Sequence, residues 1–144
     1  MKLDLLKAYN KVNWDFLRLI LIQIDISWEV TNWITGCVTT ANYDVLINGE
    51  STEFFKGQSD LRQGCPLSPL LFLLIMEGLK RLIRKTLLEG QIKGVKIIVN
   101  IIVSYLLFVD DVLLLGSSSR EEWTIIKEIT NLFCRAAGMD ISDN

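Results

Sequence analysis

The sequence predicts a mixed α/β domain of the α+β type, with helices backing an antiparallel sheet. Three observations favour this class. Several segments carry apolar residues at helical spacing. Asn48-Gly49, between two short β-prone runs, is typical of a tight hairpin turn. The adjacent acids Asp110 and Asp111 lie between apolar runs and predict a second hairpin. With 144 residues, 50% of them hydrophobic, the chain is long enough for one domain with its own core.

The first part of the chain is predicted to contain a strand, two helices and a hairpin. Residues 2–6 are a short apolar run that is typical of the end of a strand. Helices are expected where apolar side chains recur every three or four positions, over residues 14–24 and 28–40. The two strands of the first hairpin are expected over residues 43–47 and 52–55, on either side of the Asn-Gly turn.

A loop and a long helix are predicted next. Residues 57–69 are rich in polar and turn-forming residues and include Pro66 and Pro69, so they predict an ordered loop. The helix that follows is expected over residues 70–88, with Ser68 as its N-cap.

The last part of the chain is predicted to contain strands and one further helix. Residues 95–107 are mostly β-branched or apolar and predict one or two strands. The acid-bearing hairpin follows over residues 108–116. An amphipathic helix is then expected over residues 120–137, capped by Ser118 or Ser119 and ended by a glycine.

Charge and residue types restrict the chemistry. Fifteen Lys and Arg against 17 Asp and Glu give a formal net charge of -2, so the whole chain offers no positive field for non-specific capture of nucleic acid. It has no His, which leaves carboxylates, Lys, Tyr and Cys as reactive groups. Cys37, Cys65 and Cys134 are odd in number and widely spaced, so they predict neither a disulfide framework nor a zinc site.

The sequence also predicts where the protein is found. Asp4 stands where a secretory signal would be apolar, and no uncharged stretch is long enough to span a bilayer. We therefore expect an intracellular protein, in the nucleus or cytoplasm, that is not secreted and has no membrane partner.

Asp110 and Asp111 are the first candidates for metal ligands. Adjacent carboxylates repel one another, and hard oxygen ligands of this type suit Mg²⁺ or Mn²⁺. A third acid, Asp4, also lies in a predicted strand with apolar neighbours, and strands ending side by side would bring the acids together. The structural alternative is that Asp110 and Asp111 form a polar hairpin turn and that Asp4 is an ordinary surface residue.

Segments in a fixed order resemble the reverse transcriptases of LINE-type (non-LTR) retrotransposons, particularly those of plants. Residues 3–17, LDLLKAYNKVNWDFL, resemble motif A, and residues 61–72, LRQGCPLSPLLF, resemble motif B. Residues 107–111, LFVDD, resemble motif C, and residues 138–141, GMDI, resemble the start of motif D. The resemblance implies a polymerase palm spanning residues 1–144, an incomplete right-hand fold whose antiparallel sheet carries the catalytic aspartates, with the fingers and thumb absent.

The resemblance also implies an activity and its cofactors. The family consists of RNA-directed DNA polymerases, which extend a DNA primer on an RNA template with dNTPs and two Mg²⁺ or Mn²⁺ ions. Asp4, Asp110 and Asp111 would be the catalytic, metal-binding residues, and the ions would activate the primer 3′-hydroxyl and stabilise charge on the triphosphate. The missing fingers and thumb segments would be further partners of the palm.

Four other residues acquire substrate-binding roles from the resemblance. Tyr9 would be the aromatic steric gate beneath the sugar of the incoming nucleotide, the alternative being a tyrosine of the core. Gln63 and Gly64 would border the nucleotide and template, since glycine allows close backbone approach and a Gln side chain can donate and accept. Arg62 would meet phosphate. A plain proline-rich loop that caps a helix is the alternative for this segment.

Some positions depart from the family pattern, and one basic cluster remains open. The departures are Asn10, Asp60, Tyr105, Val109 and Asp140. Asp140 appears where motif D of the family usually includes a Lys shortly after its glycine-containing turn. The basic cluster lies late in the long helix, where a solvated face is favoured over nucleic-acid contact; its members are Lys80, Arg81, Arg84 and Lys85.

Two alternatives to an active polymerase are kept. The first is a decayed or truncated retrotransposon palm that folds without catalysing turnover, for which the departures and missing subdomains argue. The second is a palm-like enzyme that acts on free nucleotides, against which Tyr9 and the Gln63-Gly64 pair argue, since they fit a sugar and a template.

Overall fold

A computed structural model describes residues 1–6, 8–99, 101–108, 111–117 and 119–141 of the chain. The described residues form helices and antiparallel strands, so the prediction of an α+β fold is confirmed. The elements in chain order are β1 (Lys2–Leu6), a 3-10 helix (Ala8–Lys11), α1 (Trp14–Gln23), α2 (Trp28–Thr39), β2 (Asn42–Tyr43), β3 (Leu46–Ile47), β4 (Glu50–Ser51), β5 (Phe55–Lys56), α3 (Ser68–Leu88), β6 (Val95–Ile98), β7 (Ile101–Val103), β8 (Tyr105–Phe108), β9 (Asp111–Leu114), α4 (Arg120–Ala137) and β10 (Asp140–Ile141).

The main sheet has four strands in the order β10-β1-β9-β8, and each neighbouring pair is antiparallel. Strand β1 lies in the interior of this sheet, although it comes first in the chain. It pairs with β9 through Leu3 and Val112 and with β10 through Leu6 and Asp140. The sheet therefore joins the two ends of the described chain.

The two faces of this sheet differ because side chains alternate along each strand. Leu3, Leu5, Val112 and Leu114 are buried on one face. They belong to the same core as the apolar side chains of the helices, among them Leu17, Leu71, Phe72, Ile75 and Phe133. The opposite face carries exposed residues of β1, β8 and β9. One face is thus backed by helices and the other is open.

Two helix starts and one helix end agree with the sequence prediction. Helix α1 begins after Asn13, whose side-chain oxygen accepts hydrogen bonds from the N–H groups of Asp15 (2.8 Å) and Phe16 (3.2 Å). Helix α2 begins after Ser27. Helix α4 ends at Gly138 with φ +79°, where a Cβ would collide with the carbonyl oxygen of Lys11. Both conformation and space therefore require glycine there.

The predicted hairpin around Asn48-Gly49 is confirmed, but its strands are shorter and divided. Both turn residues have positive φ (52° and 89°), and β3 pairs with β4 across them. Strands β2 and β5 form a second ladder further from the turn. Between the ladders, the hydroxyl of Thr52 accepts from the Val45 N–H (3.0 Å) and the Thr52 N–H donates to the Val45 carbonyl (3.0 Å). This side-chain contact replaces continuous strand pairing.

The predicted cap of the long helix is wrong. Ser68 is the first residue of α3 rather than its N-cap, and the cap position is Leu67, which makes no side-chain capping bond. The Ser68 hydroxyl instead donates to the carbonyl of Arg62 at 2.7 Å and is buried. Ser119 is the N-cap of α4, also without a side-chain capping bond, and Ser118 lies outside the described residues.

A buried carboxylate fastens α4 to two loops. Glu122, only 4% exposed, accepts hydrogen bonds from the N–H groups of Lys93 (2.9 Å), Gly94 (3.1 Å) and Ser117 (3.0 Å), and from the Ser117 hydroxyl. Burial raises the pKa of this carboxyl, but the hydrogen bonds from Ser117, Lys93 and Gly94 outweigh it and hold the pKa below its ordinary value. Glu122 therefore remains ionised inside the protein at neutral pH.

None of the described helices is long and apolar enough to cross a membrane.

Candidate active site

Two of the three predicted catalytic acids meet on the open face of the sheet. Asp4 lies in the middle of β1 and Asp111 opens β9, and the two residues are direct cross-strand partners. Such partners have Cβ atoms about 4.5–5.5 Å apart. Both side chains are on the exposed face, because their strand neighbours Leu3 and Val112 point into the core. Asp110, the third predicted acid, lies outside the described residues.

A lysine that the sequence reasoning missed belongs to this pair. The ammonium nitrogen of Lys2 lies 2.9 Å from Oδ1 of Asp111, and the two side chains are 67% and 54% exposed. Lys2 is two residues before Asp4 and thus on the same face of β1. The alternation of side chains along a strand, applied to residues 2–6, could have identified Lys2 as a neighbour of Asp4.

The donor set of this face fits a hard divalent cation. Asp4 and Asp111 offer carboxylate oxygens from directly opposed positions, and like charges in such positions repel unless a cation lies between them. Among the described residues no group of three or more acids, cysteines or histidines is placed to hold a metal. On this face, Asp4 and Asp111 are described residues that could hold a cation. Asp110 would join them by the resemblance to the family.

The four predicted substrate-binding residues lie together. Tyr9, Arg62, Gln63 and Gly64 line one open cleft of about 470 Å³, which continues along the loop to the first turn of α3. The Tyr9 ring is stacked on Phe72, with ring centroids 4.7 Å apart and an angle of 18° between the planes. Tyr9 is thus half-buried against the core and also lines the cleft, which combines the two interpretations considered for it.

Hydrogen bonds join the segments that resemble motifs A and B. The N–H of Leu61 donates to the Tyr9 carbonyl at 2.7 Å. The side-chain nitrogen of Gln63 donates to Asn10 Oδ1 at 3.4 Å, a long contact. Gly64 has φ +83°, a conformation that favours glycine. The loop is therefore held against the residues that follow β1.

Asp60, one of the departures from the family pattern, faces away from this cleft. Its backbone carbonyl accepts from the Trp14 indole N–H at 2.8 Å, and its carboxylate accepts from the Tyr43 hydroxyl at 3.3 Å. Burial, with the nearby Asp60 carboxylate as a second cause, raises the pKa of Tyr43. The Asp60 charge is thus directed at the β2–β5 hairpin.

Two further departures also have structural partners. Asp140 opens β10 on the open face, opposite Leu6, and forms an ion pair with Lys11. Tyr105 opens β8, is half-buried, and packs against the core. Val109 lies outside the described residues.

Three of the four basic residues of the α3 cluster form ion pairs with acids of the same helix region. Lys80 and Arg81 both approach Glu77, at 2.9 and 3.6 Å, and Lys85 approaches Glu89 at 3.8 Å. The hydrogen bond that Lys80 donates to the Glu77 carboxylate raises the pKa of Lys80. These pairings favour a solvated helix face.

All three cysteines lie in the described part of the chain, where they are free thiols. Hydrogen bonds from the backbone N–H groups of Leu67 and Ser68 lower the pKa of Cys65, against a smaller effect of burial. Burial, with Asp140 nearby, raises the pKa of Cys134 to about 11. The absence of a disulfide framework among these residues agrees with the sequence prediction.

Comparison with known proteins assigns the chain to a family. The family model described as reverse transcriptase (RNA-dependent DNA polymerase) matches residues 1–144. The chain therefore belongs to the reverse transcriptase family, which confirms the resemblance found in the motifs.

Two of the similar proteins are retrotransposon polyproteins. The chain is 28% identical over 144 residues, 99% of its length, to a retrovirus-related Pol polyprotein from the type-1 retrotransposable element R2 of Popillia japonica. A second R2 polyprotein of that beetle is 26% identical over 115 residues. The chain spans about a fifth of the length of these relatives, 19% and 18%. An uncharacterised mitochondrial protein of Arabidopsis thaliana is 39% identical over 67 residues, 46% of the chain and 55% of that protein.

Proposed function

We propose that residues 1–144 are the palm of an RNA-directed DNA polymerase of a non-LTR retrotransposon. The proposed reaction is attack of a primer 3′-hydroxyl on the α-phosphate of a dNTP, directed by an RNA template, with pyrophosphate leaving. One observation carries the proposal: Asp4 and Asp111 are cross-strand partners on the open face of the sheet. Their segments match the family's acidic motifs, and the family model covers the whole chain.

Asp4 and Asp111 would hold the divalent cations, together with Asp110 by resemblance. When bound, Mg²⁺ or Mn²⁺ supplies stabilisation of the negative charge on the attacking and leaving oxygens. The contribution of the chain is to keep two carboxylates at fixed cross-strand positions, through backbone pairing of β1 with strands on both sides. Carboxylates fixed in advance need no reorganisation when the substrate binds.

The cleft beside the loop would receive the nucleotide. Tyr9 would lie against its sugar, and the stack on Phe72 would keep the ring in one orientation. Arg62 would contact phosphate, and Gly64 would allow the backbone to approach the base pair. Gln63 would orient the nucleotide or template through a side chain that donates and accepts.

Contacts beyond this chain would add to the binding of template and primer. The R2 relatives are about five times longer, and the proposed fingers and thumb would come from segments comparable to the remainder of those proteins. With a net charge of -2, the chain by itself offers little electrostatic attraction for a nucleic acid.

Primer extension tests the proposal. A DNA primer annealed to an RNA template is incubated with dNTPs, Mg²⁺ and the chain, as wild type and as Asp4→Asn, Asp111→Asn and Asp25→Asn. Asp25→Asn is a matched control, because Asp25 is exposed and its φ of +62° suits asparagine. We expect extension by the wild type and the control and a loss of at least about 100-fold in the two site variants.

A second outcome would favour the catalytically inactive palm. If the wild-type chain folds, as judged by circular dichroism, binds the primer-template and still gives no extension, the proposed activity of this chain is wrong. Turnover of free nucleotides without template would instead support the palm-like enzyme that acts on free nucleotides.

A further inference from the structure

A lysine, Lys2, lies at the acid pair formed by Asp4 and Asp111. Lys2 and Asp4 lie two residues apart on β1, and Asp111 lies directly across from Asp4 on β9. Lys2 reaches Asp111 diagonally across the two strands, with its nitrogen 2.9 Å from Oδ1. The ammonium group of Lys2 therefore contacts one of two carboxylates that would otherwise repel each other.

We propose that Lys2 is a tethered counter-cation of the acid pair. It binds Asp111 when no divalent cation is present and releases that carboxylate when one binds, and in this way it sets the cation affinity of the site. The inference rests on the proposed function, since it takes Asp4 and Asp111 as the cation-binding pair.

The exposure of the pair makes this exchange possible. Lys2 and Asp111 are 67% and 54% exposed, so water screens the attraction and little free energy is lost when the ion pair opens. A buried pair would cost far more to separate, because each charge would be left in a low-dielectric surrounding. A divalent cation also carries twice the charge of the ammonium group and can approach both carboxylates.

The competition lowers cation affinity by a predictable amount. A cation that binds the pair must displace Lys2 from Asp111 or bind beside its charge, and removing that charge should strengthen cation binding by about 2- to 5-fold. A lysine of the same charge far from the pair should have no comparable effect. Lys96 provides this control, since it is exposed on β6, which belongs to a two-stranded sheet separate from the main sheet.

The first measurement is Mn²⁺ binding, which is monitored through the electron paramagnetic resonance signal of the free ion. The 144-residue chain is compared as wild type, Lys2→Met, Lys2→Arg, Lys96→Met, Asp4→Asn and Asp111→Asn. We expect Lys2→Met to bind Mn²⁺ about 2- to 5-fold more tightly, and Lys2→Arg and Lys96→Met to bind as the wild type does. Asp111→Asn should bind at least about 10-fold more weakly.

The second measurement reports the release of Lys2 directly. Lysine side chains are labelled by reductive ¹³C-methylation, and the Lys2 signal is identified by its absence in Lys2→Met. Stepwise addition of Mg²⁺ should shift this signal over the concentration range in which Mg²⁺ competes with Mn²⁺. In Asp111→Asn, the same additions of Mg²⁺ should shift this signal much less than in the wild type.

The outcomes separate this inference from the proposed function. If Lys2→Met binds Mn²⁺ like the wild type, or no more tightly than Lys96→Met, while Asp111→Asn weakens binding, the counter-cation role is wrong and the cation site stands. If neither Asp111→Asn nor Asp4→Asn weakens Mn²⁺ binding, the acid pair is not a cation site and the proposed function is wrong with it.

Discussion

Replacing Glu122 with glutamine is expected to lower the free energy of unfolding by about 2–4 kcal/mol. The carboxylate accepts from three backbone N–H groups and one hydroxyl, with one oxygen facing Lys93 and Gly94 and the other facing Ser117. A glutamine has only one acceptor oxygen, so its NH₂ group must face one of these donor sets. If the NH₂ group faces Ser117, that backbone N–H loses its acceptor inside the protein.

The magnitude follows from the hydrogen bonds. One hydrogen bond to a charged group contributes about 1.5–3 kcal/mol, and the bonds that remain become weaker neutral ones. For a domain of this size, a loss of about 2–4 kcal/mol corresponds to a decrease in Tm of about 4–16 °C. Thermal and urea unfolding followed by circular dichroism measure both quantities.

The effect should depend on pH in a defined direction. The pKa of Glu122 is lower in the folded protein than in the unfolded chain, so the stabilisation is present above the unfolded value and is lost as pH falls through the folded pKa. The difference in stability between wild type and Glu122→Gln should therefore be full near pH 7. It should shrink below about pH 4, where an ordinary Glu begins to take up its proton.

Glu121→Gln is the matched control. Glu121 is the preceding residue in the same first turn of α4, loses the same charge on substitution and is exposed. Its unfolding midpoint should stay close to that of the wild type. Equal midpoints for Glu122→Gln and Glu121→Gln, or a Glu122→Gln effect that does not change between pH 7 and pH 3, would refute the reasoning.

Two further predictions concern backbone conformation and thiol chemistry. Gly138→Ala should lower the free energy of unfolding by more than about 2 kcal/mol, because it adds a steric collision to the cost of a positive φ. Gly90→Ala, with φ +71° and open space around it, should cost only about 1–2 kcal/mol in the same urea unfolding experiment, and equal losses would contradict the steric argument. At pH 7.5, iodoacetamide should modify Cys65 and Cys37 well before Cys134, as measured by peptide mass spectrometry, because Cys134 is buried with a pKa of about 11. Early modification of Cys134 in the folded chain would contradict its buried position.

Features that depend on neighbouring residues were predictable from the sequence. The turn at Asn48-Gly49 needs only two residues that accept positive φ, and the glycine end of α4 needs only the residue that follows the helix. Leu3 and Leu5 on either side of Asp4 are buried, so the alternation of side chains along β1 sets Asp4 on the outer face. The pattern of a single strand contains this information.

Features that depend on distant partners were not predictable in this way. Ser68 looked like a helix cap, but the carbonyl of Arg62 lies within reach of its hydroxyl and competes for it. Glu122 lies in the predicted amphipathic helix, but its partners include Lys93, which is 29 residues away. The pairing of Asp4 with Asp111 likewise requires a strand register that no local pattern contains.

The position of β1 in the sheet has a consequence for the order of folding. Its partners β9 and β10 lie more than 100 residues away in sequence, whereas the contacts of α1 with α2 and α3 join segments that are closer along the chain. Closing such long loops has a large entropic cost, and contacts of high sequence separation slow folding. We therefore expect the helices to be able to form early, while the acid pair assembles late, after β9 has been synthesised and has found β1.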